Sequence, residues 1–165
     1  MIENLGRLLS PRCVNFVTAL EISWEVTKPP GYNSMKPDEW PEPVDLPFHM
    51  ISLTFPGLRK LHVSLHGDII STGEADVDDP ATRNIIDIRE QVICKEVDKY
   101  LSDRKEQLQH LYIALNWTLW SQLRTKASRK SAYIFEEDGY PGPRFWKHSG
   151  SNNLGYWIVE GRHGW

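Results

Sequence analysis

A chain of 165 residues has the size of one domain, and 40% hydrophobic with 25% charged residues is the balance of an ordinary globular protein. No run of about 18 apolar residues occurs, so no helical membrane span is expected, and Met1–Ser10 lacks the apolar stretch and small-residue cleavage site of a signal peptide. The net charge of −3 is uneven: residues 1–100 carry 16 acidic and 10 basic side chains, whereas residues 101–165 carry 6 and 9.

An acidic N-terminal part argues against nucleic acid as a partner and is better matched by a basic protein surface. Cys13 and Cys94 lie far apart and outside any metal-ligand spacing. They read as buried free thiols of a cytoplasmic protein, with a single disulfide as the alternative.

In chain order, Pro11 is expected to stop any helix before residue 12. Val14 to Val26 alternates: Val14, Phe16, Leu20, Ile22, Trp24 and Val26 fall on one side and Asn15, Glu21, Ser23 and Glu25 on the other. Such a period of two predicts a long strand with a bend or bulge. Residues 28–47 contain six prolines and predict an extended loop, with Tyr32, Met35 and Trp40 as its anchors or as partner contacts.

His49 to Phe55 alternates again, and Pro56-Gly57 turns the chain into residues 58–70. Two alternating runs joined by a Pro-Gly turn predict a β-hairpin. Asp79 before Pro80 starts a helix over roughly 80–101, with Ile85, Val92, Ile93, Val97, Tyr100 and Leu101 recurring at three- and four-residue spacing. Residues 103–109 extend or restart that helix.

The next stretch fits two patterns. Leu111, Ile113, Leu115, Trp117 and Leu119 alternate as in a strand, yet Leu108, Leu111, Leu115, Leu119 and Leu123 form a helical stripe. The helix is preferred, because no turn residue separates it from the one before. Ala132–Phe135 and Leu154–Glu160 read as strands and Tyr140–Gly150 as a loop rich in Pro, Gly and aromatics. Together these elements predict a single α+β domain over residues 1–165. It would hold an antiparallel sheet of five or six strands, with one or two helices from residues 80–125 on one face.

The candidate chemistry is concentrated on residues 60–69, where His62, Ser64, His66 and Asp68 share one side of a strand. Alternate residues on a strand stand about 6.6 Å apart, so His66 and Asp68 could share a metal or a proton. A metal would need a further ligand, such as His49 on the paired strand. His62-Val63-Ser64-Leu65 resembles one copy of the His–apolar–Ser/Thr–apolar signature of two-histidine phosphoesterases, in which one histidine is base and the other acid. The second copy is missing: His110 is followed by Leu111-Tyr112, and His148 by Ser149-Gly150.

Other clusters are weaker. Glu74, Asp76, Asp78 and Asp79 lack the spacing of a calcium loop but would suit a basic partner. Arg124, Lys126, Arg129 and Lys130 read as a solvated helix end. Tyr140, Phe145, Trp146, Tyr156, Trp157 and Trp165 crowd the last 26 residues, and large aromatics of this kind anchor protein interfaces.

No phosphate-binding glycine loop, nucleophile elbow or dinucleotide fingerprint is present, and no cofactor is implied. The sequence therefore points first to a non-catalytic protein-binding module, in the manner of an inhibitor, immunity protein or chaperone. Its partner contacts would be Tyr32, Trp40, Glu74, Asp76, Asp78, Tyr140, Trp146 and Trp165. The alternative is a hydrolase of phosphoesterase type, with or without a metal, using His62, Ser64, His66 and Asp68.

Overall fold

Most of the alternating segments become strands, His49 to Phe55 excepted, and four of the six strands run in the same direction. The computed structural model describes residues 11–26, 46–67, 80–104, 106–128, 134–136, 143–150 and 154–161. In chain order these form α1 (Pro11–Val14), β1 (Ala19–Glu25), α2 (Phe48–Thr54), β2 (Lys60–His66), α3 (Pro80–Asp103), β3 (His110–Leu115), α4 (Trp117–Ser128), β4 (Ile134–Glu136), β5 (Arg144–His148) and β6 (Gly155–Glu160).

One six-stranded sheet has the order β1-β2-β3-β6-β5-β4. β1, β2, β3 and β6 are parallel neighbours. β5 is antiparallel to β6, and β4 to β5. The fold is thus α+β with a mixed sheet, and the purely antiparallel sheet expected from the alternation is corrected.

The expected hairpin over residues 49–70 is also corrected. His49 to Phe55 lies on α2 and the turn after it, where Phe48, Ile51 and Phe55 are buried while Leu53 is 72% exposed. Burial at i, i+3 and i+7 is the helical period, and it outweighs the local alternation of Ile51, Leu53 and Phe55. Pro56-Gly57 therefore leads from a helix into β2, which then runs parallel to β1.

Residues 14–26 divide as well. Pro11 opens α1 rather than stopping a helix, since a first helical residue needs no N–H donor. Phe16 lies beyond the strand and is 82% exposed.

Residues 110–121 contain both expected patterns in succession. The alternating part is β3, and the helical stripe continues as α4. Asn116 alone separates them, its Oδ1 accepting the Leu119 N–H at 3.0 Å as an N-cap. Upstream, α3 ends at Asp103, so residues 106–109 are not helical. Arg104 instead donates to the Ser52 and Phe55 carbonyls at 3.0 and 3.2 Å, binding the end of α3 to the end of α2. The final aromatic stretch, expected as a loop, contains β5, and the expected strand at 132–135 is β4 at Ile134–Glu136.

Leu61, Val63 and Leu65 of β2 share one sheet face with Leu111, Ile113 and Leu115 of β3 and with Tyr156 and Ile158 of β6. All of these are buried. Lys147 and Phe145 of β5 join that face, and Lys147 reaches Asp98 of α3 at 3.1 Å. α3 meets α2 through the stacked Phe48 and Tyr100 rings, 4.9 Å apart, and meets α4 through Lys126, which binds both Asp87 and Glu90.

The three longer helices therefore form one layer on one side. Parallel strands joined by right-handed crossovers that always step the same way leave their helices on a single face. The other face carries the alternate residues of each strand, polar along β1 and β2 but including the buried Ala114 of β3 and Val159 of β6. No described helix covers it. Cys13 and Cys94 form no disulfide, and Cys13 is exposed and Cys94 half-buried rather than both buried.

Candidate functional site

The strand register aligns the side chains of this second face into two rows that cross the whole sheet. One row runs Glu21, His62, Tyr112, Trp157, Trp146, Ile134. The next runs Ser23, Ser64, Ala114, Val159, Arg144, Glu136. Neighbouring residues in such rows stand about 4.5–5.5 Å apart, so each can touch the next.

At the β1–β2 end, His62 Nδ1 is 3.5 Å from a Glu21 carboxylate oxygen. The His62 side chain is 21% exposed, and its Nε2 is buried without a hydrogen-bond partner among the described residues. Burial pushes the imidazole below its ordinary proton affinity, against the opposing pull of Glu21. His62 is thus held neutral at physiological pH by removal from water, with its Nδ1 side turned to a carboxylate. Its ring lies edge-on to Tyr112, 6.0 Å between centroids. His66, further along β2, is exposed and sits 3.3 Å from the Ser23 hydroxyl.

At the other end, Arg144 organises the aromatic groups. Its guanidinium lies 4.3 Å from the centre of the Trp157 ring and 5.9 Å from that of Tyr112. Its Nε and one terminal nitrogen donate to the Glu136 carboxylate, the first at 2.7 Å, and the other terminal nitrogen donates to the Tyr112 hydroxyl at 3.5 Å. With 16% of its side chain exposed, Arg144 combines a charge-assisted fork with cation–π stacking.

Trp146 stands at right angles to Trp157 with ring centroids 5.2 Å apart, and His148 meets Trp146 edge-on at 6.4 Å. Gly155 makes this possible: a Cβ there would lie 2.6 Å from the Trp146 indole nitrogen. Ile134 ends the row, 55% exposed on the edge strand β4.

The sequence candidates distribute as follows. His62, Ser64 and His66 do share this face, but no hydrogen bond joins Ser64 to either histidine among the described residues. His49 is an exposed residue of α2, in the helix layer, and not a neighbour of His66 on a paired strand. Among the described residues no group of three His, Cys, Asp or Glu side chains could hold a metal ion.

Trp146 belongs to the site. Tyr32, Trp40, Asp68, Glu74, Asp76, Asp78, Tyr140 and Trp165, with residues 28–45 of the Pro-rich segment, lie outside the described residues. Glu21, Tyr112 and Arg144 are not among the site candidates of the sequence, and Trp157 enters there only as one of the C-terminal aromatics. Only the pairing of the strands brings these four into adjoining rows.

Comparison with known proteins finds no family model, no curated protein and no solved structure that matches the chain. No described helix is long and apolar enough to cross a membrane.

Proposed function

We propose that this protein is a non-catalytic interaction module, of the kind that inhibitors, immunity proteins and assembly chaperones exemplify. It takes a protein partner on the helix-free face of its sheet. One observation carries the reading: Trp157, Trp146 and the exposed Ile134 lie side by side across β6, β5 and β4, with Arg144 stacked on Trp157. Tryptophan and arginine in a packed cluster are the residue types that dominate binding energy at protein interfaces.

The test compares affinity-tagged wild type with Ile134→Glu in extracts of the native host. A stoichiometric protein retained by wild type and lost from the variant, at an unchanged thermal midpoint, supports the reading. Equal retention by both, or no stoichiometric partner, overturns it.

A second reading, hydrolysis of phosphoesters, is favoured by the Glu21–His62 pair. A carboxylate beside one nitrogen of a neutral imidazole orients it as in a general base, and the shielded Nε2 would have to turn outward to reach a substrate proton. Wild type would then hydrolyse bis(p-nitrophenyl) phosphate, with or without added magnesium, and the His62→Ala/His66→Ala variant would not. Absence of turnover by wild type, or equal turnover by both, rules this out.

A further inference from the structure

The Glu21–His62 pair lies in the same row as the aromatic cluster, and the contacts between them are continuous. Glu21 meets His62, His62 meets the edge of Tyr112, the Tyr112 hydroxyl accepts from Arg144, and Arg144 stacks on Trp157, which meets Trp146. We infer that the Glu21–His62 pair is an acid-sensitive latch, which holds this row in its packed arrangement while His62 is neutral and releases it when His62 gains a second proton. The inference rests on the binding reading for its use, since it would make the partner-binding face responsive to pH.

The physical argument concerns Nε2. In the neutral ring Nδ1 carries the hydrogen toward Glu21 and Nε2 is an acceptor, shielded from solvent and unpartnered. A second proton converts Nε2 into a charged donor shielded from water and without an acceptor among the described residues, a state far costlier than an unpaired neutral acceptor. Glu21 offsets part of this from the Nδ1 side, but its carboxylate is 65% exposed and its pull is screened. The remaining route is outward rotation of the ring to water, which removes the edge contact that flanks Tyr112.

The neighbours of His62 on this face do not supply an acceptor in its place. On β1 they are Glu21 and Ser23, with Glu25 further along. On β2 they are Lys60, Ser64 and His66, and on β3 His110 and Tyr112. Lys60 carries a positive charge on this face, which opposes a second charge on His62. Burial already lowers its proton affinity.

The experiment is an NMR titration of the full chain from pH 8 to pH 4, without a partner, following the histidine ring signals and the indole N–H signals of Trp146 and Trp157. In wild type the Trp157 signal should shift with the same midpoint as His62. His62→Gln should abolish that shift while leaving the spectrum at pH 8 folded. Glu21→Gln should move the midpoint to lower pH, because the attraction of the Glu21 carboxylate for the second proton is gone.

His148 touches Trp146, so His148→Gln is the control; it should leave the Trp157 titration unchanged. A Trp157 signal that does not titrate, that follows His148, or that persists in His62→Gln overturns the latch. None of these outcomes bears on partner retention, so the latch and the binding reading fail separately.

Discussion

Two residues on the helix-free face show how local chemistry is set by neighbours on other strands. Gly155 has no side chain where the Trp146 indole lies across β6. A Cβ at Gly155 would also collide with the Lys147 backbone carbonyl oxygen on β5. Gly155→Ala is therefore expected to push both the Trp146 indole and the β5 backbone aside and to destabilise the fold by about 1–3 kcal/mol, the range for overpacking a closed site. Urea denaturation checks this, and an unchanged midpoint would show that β5 and Trp146 yield together at no cost. His62 supplies a pH dependence of defined sign. Its folded proton affinity lies below the ordinary value of 6.5, so the unfolded chain binds the proton more readily. The stability it contributes is complete above that value and is lost as pH falls through the folded pKa. A plot of urea midpoint against pH should therefore slope down below pH 6.5 in wild type and be flatter there in His62→Gln.

Elements depend on short segments that hold two signals at once. Residues 108–123 satisfy a strand pattern and a helix pattern because β3 and α4 follow each other with one residue between them. The decisive residue is Asn116, whose side chain caps α4 and whose position ends β3. Asn116→Ala should cost about 1 kcal/mol through loss of the cap. The thermal midpoint would report that loss, and a variant as stable as wild type would mean that the Leu119 N–H finds another acceptor. Helix α2 is the opposite case. Its alternating letters imitate a strand, and only the burial of Phe48, Ile51 and Phe55 against α3 settles the matter.

For the whole molecule, sheet order determines which parts are most protected. β2, β3 and β6 are interior strands, whereas β1 and β4 stand at the two edges. Hydrogen exchange should be slowest in β2, β3 and β6 and fastest in β4, which has three residues and a single neighbour. Equal protection of β4 and β3 would contradict this order. The same order keeps the described helices on one side, so the opposite halves of the four parallel strands share a common face.

Alternation along residues 60–66 and 155–160 is enough to place His62 with Ser64 and His66 and to separate Trp157 from Ile158, since side-chain direction along a strand is a local property, whereas residues 110–115, where the helical stripe is preferred, form β3 instead. The helix over 80–103 was likewise legible from its three- and four-residue spacing and from Pro80 at its start. Direction of pairing was not. A sheet with one polar face is the usual mark of antiparallel strands, because parallel sheets are normally covered on both sides. Here, crossovers stepping in one direction leave the described helices on one side of a mostly parallel sheet, so the local pattern pointed to the wrong topology. The cross-sheet row from Glu21 to Ile134, with Arg144 stacked on Trp157, brings together residues more than a hundred positions apart. Periodicity acts over two to four residues and determined the faces. Strand order acts over the length of the chain, and only the tertiary structure decided which side chains meet on them.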